Sequence, residues 1–144
     1  MPTALVAEDE PRLRASLVEL LRQIWPDLAI VAQVEDGPQA LAALAQHHPD
    51  VLFLDIRMPG LSGIEVARAA AGQSHVVFIT AFDEYAVEAF ERGAVDYLLK
   101  PVDASRLIET VRRLRERMAG PPADLRELLE KLSTRDAHRC AALT

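Results

Sequence analysis

Short, almost unbroken apolar runs alternate along the chain with longer stretches in which apolar residues recur every three or four positions. The runs are Ala4–Ala7, Ala29–Val34, Val51–Leu54, Val76–Ile79 and Tyr97–Leu99. Such runs suit strands of a parallel sheet covered on both faces. The first periodic stretch follows Pro11, a residue favoured in a first helical turn, and aligns Leu13, Leu17, Leu20, Leu21 and Ile24. Trp25, ahead of Pro26, anchors its end. Asp36-Gly37-Pro38 opens a second helix with Leu41 and Leu44 inward, and Ser62 caps a third through Ile64, Ala67 and Ala70 that ends near Gly72. Tyr85, Ala86, Ala89 and Phe90 make a short fourth, closed by Gly93. Asp103 caps a fifth, with Leu107, Ile108, Val111, Leu114 and Met118 on its core side. Five repeats of strand then helix predict an α/β fold: a doubly wound, five-stranded parallel sheet with right-handed crossovers and five helices on its two faces.

Gly120-Pro121-Pro122 interrupts the alternation. Residues 1–119 therefore read as one domain, and residues 120–144 as a linker or tail with a short helix at Leu125, Leu128, Leu129 and Leu132. A chain of 144 residues fits that organisation. Half of it is hydrophobic and a quarter charged, enough for a core and against disorder of the whole. No run approaches the roughly 18–20 apolar residues that cross a bilayer. The N-terminus has no basic region and meets acid at Glu8-Asp9, unlike a signal peptide, and the single Cys140 has no partner for an internal disulfide. The expectation is a cytoplasmic protein without membrane contact. A net charge of −6 disfavours nucleic-acid binding by these residues, so any DNA contact would need a segment outside this chain.

Open parallel sheets bind ligands beyond the carboxyl ends of their strands. Glu8, Asp9 and Glu10 follow the first strand, Asp55 ends the third, Thr80 the fourth, and Lys100-Pro101 follows the fifth. Two unit charges about 4 Å apart interact by roughly 4 kcal/mol at an effective dielectric near 20, so clustering Glu8, Asp9 and Asp55 calls for a cation among them. Oxygen ligands with room for water suit Mg²⁺ better than zinc. The histidines offer no competing site: His47-His48 lie near a helix end, His75 and His138 are isolated, and all are expected to be solvated. A metal-bound carboxylate beside a lysine and a hydroxyl is the equipment for phosphoryl transfer to an aspartate.

Four blocks resemble the receiver domain of two-component response regulators, over about residues 3–119: Ala7-Glu8-Asp9-Glu10, Leu54-Asp55-Ile56-Arg57-Met58-Pro59-Gly60, Ile79-Thr80-Ala81-Phe82 and Leu99-Lys100-Pro101. The resemblance implies a flavodoxin-like fold of strand order 2-1-3-4-5. It implies Asp55 as phosphoacceptor, with Glu8, Asp9, Asp55 and the Arg57 backbone carbonyl as Mg²⁺ ligands. Thr80 matches the switch hydroxyl, Tyr97 the switch aromatic, and Lys100 the lysine whose bond to proline is typically cis. The acidic pair is Glu-Asp rather than Asp-Asp. The implied partner is a sensor histidine kinase. The chain is then a regulatory phosphoacceptor that assists its own Mg²⁺-dependent phosphorylation and dephosphorylation, and not an enzyme. The stretch from Ala81 to Pro101, with its Val95-Asp96-Tyr97-Leu98-Leu99-Lys100-Pro101 end, is similar to receivers that precede a LytTR-type DNA-binding domain. The chain thus reads as the receiver part of a longer transcription regulator, with a stand-alone receiver acting through protein contacts as the alternative.

Other functions fit less well. An aspartate-nucleophile phosphatase needs a second carboxylate two residues after Asp55, where Arg57 stands. A flavodoxin-like electron carrier needs a phosphate-binding loop where Glu8-Asp9-Glu10 would repel the flavin phosphate. A receiver used only as an interaction module would not need Asp55, Thr80 and Lys100 together. Charges of opposite sign (Glu84, Glu88, Glu91 and Asp96 against Arg106, Arg112, Arg113 and Arg117) predict a two-fold homodimer through the fourth helix, fifth strand and fifth helix.

Overall fold

A computed structural model of the chain describes residues 1–81 and 96–119. Five parallel strands, β1 (Thr3–Ala7), β2 (Ala29–Val34), β3 (Val51–Asp55), β4 (His75–Thr80) and β5 (Asp96–Leu99), form one sheet in the order β2-β1-β3-β4-β5. Among the described residues four helices connect them: α1 (Pro11–Ile24), α2 (Gly37–His47), α3 (Gly63–Ala69) and α4 (Ala104–Arg117), the last being the fifth helix expected from the sequence. The expected fourth helix, Tyr85 to Phe90, and the leucine stripe of the tail lie outside the described residues.

The anticipated caps are in place. Asp36, Ser62 and Asp103 accept backbone hydrogen bonds from Gln39, Glu65 and Ser105, and Glu10 caps α1 ahead of Pro11. Each satisfies an amide that a helix start leaves unpaired.

Alternation along each strand divides the core. Leu5, Leu52, Leu54 and Phe78 pack with Ala40, Leu44, Ile64 and Ala67 of α2 and α3 on one face. Val6, Val51, Phe53, Val77 and Leu98 pack with Leu17, Leu21, Leu107, Val111 and Leu114 of α1 and α4 on the other. Burying a large aliphatic or aromatic side chain contributes about 1.5–3 kcal/mol, so these two layers carry most of the driving force. Trp25 closes the end of α1, fully buried, with Arg115 stacked 5.3 Å from its ring.

Three details depart from the sequence pattern. The strands take in further polar end residues (Thr3, His75 and Asp96), because ladder hydrogen bonds are indifferent to side-chain polarity. Ile108, expected on the core side, is 54% exposed. The inner stripe of α4 runs instead through Leu107, Thr110, Val111 and Leu114, since the Thr110 hydroxyl has a buried partner in Asp96. His75, expected to be solvated, is buried at the start of β4, where desolvation and the nearby Arg117 lower its pKa against the opposing pull of Asp50. The exposed pair His47-His48 closes α2, with His48 in the left-handed region.

Two glycines let the segment after β3 fold against the strand it leaves. Gly60 turns the chain at φ +85°, and the Gly63 amide donates to the Ile56 carbonyl at 2.8 Å. A Cβ at Gly63 would collide with the Asp55 backbone carbonyl. Gly63→Ala should therefore push on the backbone of Asp55, with a cost of about 1–3 kcal/mol, as for overpacking elsewhere. Urea unfolding should show a lower midpoint at unchanged slope. A midpoint equal to that of the parent chain would contradict this packing.

Candidate functional site

The sheet delivers its chemistry to one edge. Glu8 follows β1 and continues its pairing, its amide donating to the Val34 carbonyl at 3.0 Å, while Asp9 beside it is exposed. Asp55 is the last residue of β3 and Thr80 the last of β4, and both are buried. Lys100 follows β5, and its amide donates to the Thr80 carbonyl at 2.9 Å. The next bond, Lys100–Pro101, is cis. The register of β3 on β4 sets Asp55 opposite Ile79, which brings Thr80 one residue further along the same edge.

Lys100 is the hub. Its Nζ donates to Asp55 Oδ2 at 2.8 Å and to Glu8 Oε2 at 3.1 Å. Glu8 Oε1 is closer still, 2.7 Å from Nζ, but off the angle of a hydrogen bond, so this buried oxygen has no hydrogen-bond partner. Asp55 Oδ1 accepts from the Arg57 amide at 3.1 Å, and Arg14 fixes the Glu8 carbonyl at 2.7 Å. Lys100 thus supplies part of the positive charge that the clustered carboxylates call for.

The three acids do not share one charge state. Burial, reinforced by a hydrogen bond to Asp55, pushes Glu8 up to about 8 despite Lys100. Asp9 is raised for the same two reasons. Burial also acts to raise Asp55, but hydrogen bonds from Glu8, Lys100 and Asp9 outweigh it and hold Asp55 below its usual range. Burial tends to neutralise Lys100, yet its two carboxylate partners raise its pKa overall. An ionised Asp55 therefore faces the Lys100 ammonium.

A ligand oxygen from each of Glu8, Asp9 and Asp55 lies within 4.8 Å of the others. An all-oxygen donor set with a buried Glu8 oxygen that accepts no hydrogen bond fits a hard divalent cation.

The remaining expected residues divide. Tyr97, half-buried, packs against the layer containing α2 and α3, with the Arg106 guanidinium 5.1 Å from its ring centroid. Asp96 does not offer the surface charge expected of it. It is buried, gripped by Arg106 at 2.7 and 3.1 Å, by the Thr110 hydroxyl at 2.7 Å and by Arg113 at 3.2 Å. Arg112 is exposed and pairs with Glu116 on its own helix. Glu84, Glu88 and Glu91 lie outside the described residues.

Sequence reasoning missed Gly63, whose lack of a side chain lets the loop approach Asp55, and the Asp96–Arg106 pair. The Asp at the start of a strand, followed by Arg and Thr one helical turn apart, was the available signal for the second. Pairs drawn from different elements leave no periodicity along the chain.

The signature of the response regulator receiver domain matches residues 4–112. The chain is 52% identical over 135 residues to an uncharacterized response regulatory protein of Vibrio cholerae, covering 90% of this chain and 52% of that one. It is 43% identical over 118 residues to the transcriptional regulatory protein BtsR of Escherichia coli, covering 81% of this chain and 49% of that one. The chain spans about half the length of these curated relatives. It is also similar to the solved response regulatory domain of protein mrkE from Klebsiella pneumoniae, with 37% identity, a TM-score of 0.71, and coverage of 79% of this chain and 95% of that one. A second solved structure, the signal receiver domain of the putative response regulator NarL from Mycobacterium tuberculosis, gives 32% identity, a TM-score of 0.69, and coverage of 81% and 97%. No helix among the described residues is long and apolar enough to cross a membrane.

The Asp96 cluster generates a pH prediction. Burial tends to raise Asp96, but Arg106, Thr110 and the Tyr97 amide hold it below its ordinary 3.8. A depressed folded-state pKa contributes stability that is present in full above the unfolded value and lost as pH falls through the folded one. Asp96→Asn should therefore lower unfolding free energy by about 2 kcal/mol at pH 7, discounted from the buried-pair range because both arginines reach solvent. The gap from the parent chain should close below pH 3.8. A gap that persists unchanged into acid would contradict the ionic account.

Proposed function

The chain belongs to the response regulator receiver domain family, and from that membership we propose that it is a phosphorylation-activated switch whose Asp55 takes a phosphoryl group from a sensor histidine kinase. The observation that carries this reading is the Lys100 ammonium, 2.8 Å from the buried Asp55 carboxylate, with the acids Glu8 and Asp9 alongside.

A nucleophilic carboxylate must be ionised, and hydrogen bonds to Asp55 keep it so. One Asp55 oxygen forms the new P–O bond as the donor's P–N bond breaks; the other stays on the Arg57 amide or Lys100. Lys100, a compact charge, offsets the negative charge on the transferring group. The Thr80 hydroxyl, on the neighbouring strand end, donates to a phosphoryl oxygen once it is in place. Glu8, Asp9, Asp55 and the Arg57 carbonyl would hold Mg²⁺, which when bound screens the phosphoryl oxygens from the carboxylates.

Output runs through Tyr97 and the edge made by β5 and α4. A two-fold partner would use the exposed Arg112 there together with the acids Glu88 and Glu91, while Asp96 and Arg113 are engaged within the chain. BtsR is named a transcriptional regulatory protein and is twice the length matched here, which supports a DNA-binding effector in the whole protein. The Val95–Pro101 likeness favours the LytTR type, and a stand-alone receiver remains the alternative.

Acetyl phosphate with Mg²⁺ should add the mass of one phosphoryl group to the chain and none to Asp55→Asn, as read by intact-mass spectrometry. Chelating the metal should abolish the addition. Equal addition to both proteins would sink the assignment of Asp55. Mg²⁺ at about 100 times its dissociation constant should stabilise the parent chain by about 2.7 kcal/mol and Asp9→Asn far less. Equal stabilisation of both would remove Asp9 from the metal site.

A further inference from the structure

Arg106, in the first turn of α4, holds β5 in three ways at once. Its Nη2 and Nη1 grip the buried Asp96 at 2.7 and 3.1 Å. Nη2 also donates to the Tyr97 carbonyl at 3.1 Å, and the guanidinium lies 5.1 Å from the Tyr97 ring centroid. Arg113 grips the same aspartate at 3.2 Å. Without Arg106, Asp96 would keep Arg113, the Thr110 hydroxyl and the Tyr97 amide at 2.9 Å. The duty specific to Arg106 is therefore toward Tyr97.

We propose that Arg106 is a positioning residue for the switch: anchored on Asp96, its guanidinium holds the Tyr97 ring and backbone in the unphosphorylated arrangement, and activation has to break that stack. The inference rests on the reading of Asp55 as phosphoacceptor and Tyr97 as the aromatic that moves. A planar fork can grip a carboxylate, a carbonyl and a ring face together, which a lysine ammonium cannot. A ligand at Asp55 shifts the Tyr97 equilibrium only by its differential affinity for the two arrangements. A contact present in just one arrangement therefore opposes the ligand, and its removal strengthens binding.

The test measures the dissociation constant of beryllofluoride with Mg²⁺ by calorimetry. Arg106→Met should tighten binding about fivefold, or about 1 kcal/mol at 1.4 kcal/mol per tenfold. Arg113→Met, which removes a partner of Asp96 and leaves the Arg106–Tyr97 stack in place, should leave binding unchanged. In a Tyr97→Leu background the Arg106→Met effect should vanish. If Arg106→Met does not fold, Arg106→Lys should show the same direction, since it keeps the charge and loses the fork. Unchanged or weaker binding in the Arg106 variants overturns the proposal, as does an equal shift in Arg113→Met, which would mark a structural effect through Asp96. If the parent chain fails to bind beryllofluoride, or Asp55→Asn binds it equally well, the reading of the site falls and takes this inference with it. Parent binding that depends on Asp55, without an Arg106 effect, removes this inference alone.

Discussion

Lys100 reaches across the sheet from the end of β5 to two carboxylates 45 and 92 residues away along the chain, Asp55 and Glu8. Three acids at one edge of a close-packed sheet would repel one another by several kcal/mol without compensation. The ammonium, together with the raised pKa of Glu8, offsets part of that repulsion and leaves Asp55 ionised against one cation. That arrangement lets the edge fold with Glu8 and Asp55 buried. It also leaves Asp55 charged and a Glu8 oxygen without a hydrogen bond, which are the properties that a phosphoacceptor and a divalent cation respectively need.

The two hydrophobic layers hold this arrangement rigidly. Leu54 and Phe53, adjacent on β3, point into opposite layers, so Asp55 is fixed between α2 and α3 on one side and α1 and α4 on the other. From behind, Gly63 presses its backbone against the Asp55 carbonyl. Lys100 is tied by its amide to Thr80, so any movement of the β4 end is felt at both the lysine and the hydroxyl. Close packing of this kind has discrete alternatives rather than continuous give, which is what a switch requires.

Most of the fold was legible in the sequence because its central strands are buried on both faces and read as nearly unbroken apolar runs. The caps Asp36, Ser62 and Asp103 were legible because capping needs particular side chains at particular positions. The site residues were legible because each directly follows or ends a strand. What periodicity could not show was which polar residues pair across elements. Ile108 reads as core and is exposed, whereas Asp96 reads as surface charge and is buried against Thr110. Asp96 appeared to be a charge for a partner, yet two arginines of its own chain hold it.

Coupling between Lys100 and Asp55 is measured by a double-mutant cycle of unfolding free energies for Lys100→Met and Asp55→Asn. Removing the ammonium alone leaves a buried carboxylate without its cation, a strongly destabilising change. In the Asp55→Asn background much of that charge is already gone, so the same lysine substitution should cost less. A coupling energy of at least about 1 kcal/mol is expected at neutral pH, within the range seen for residues sharing one ion-pair network. Strictly additive effects would contradict it.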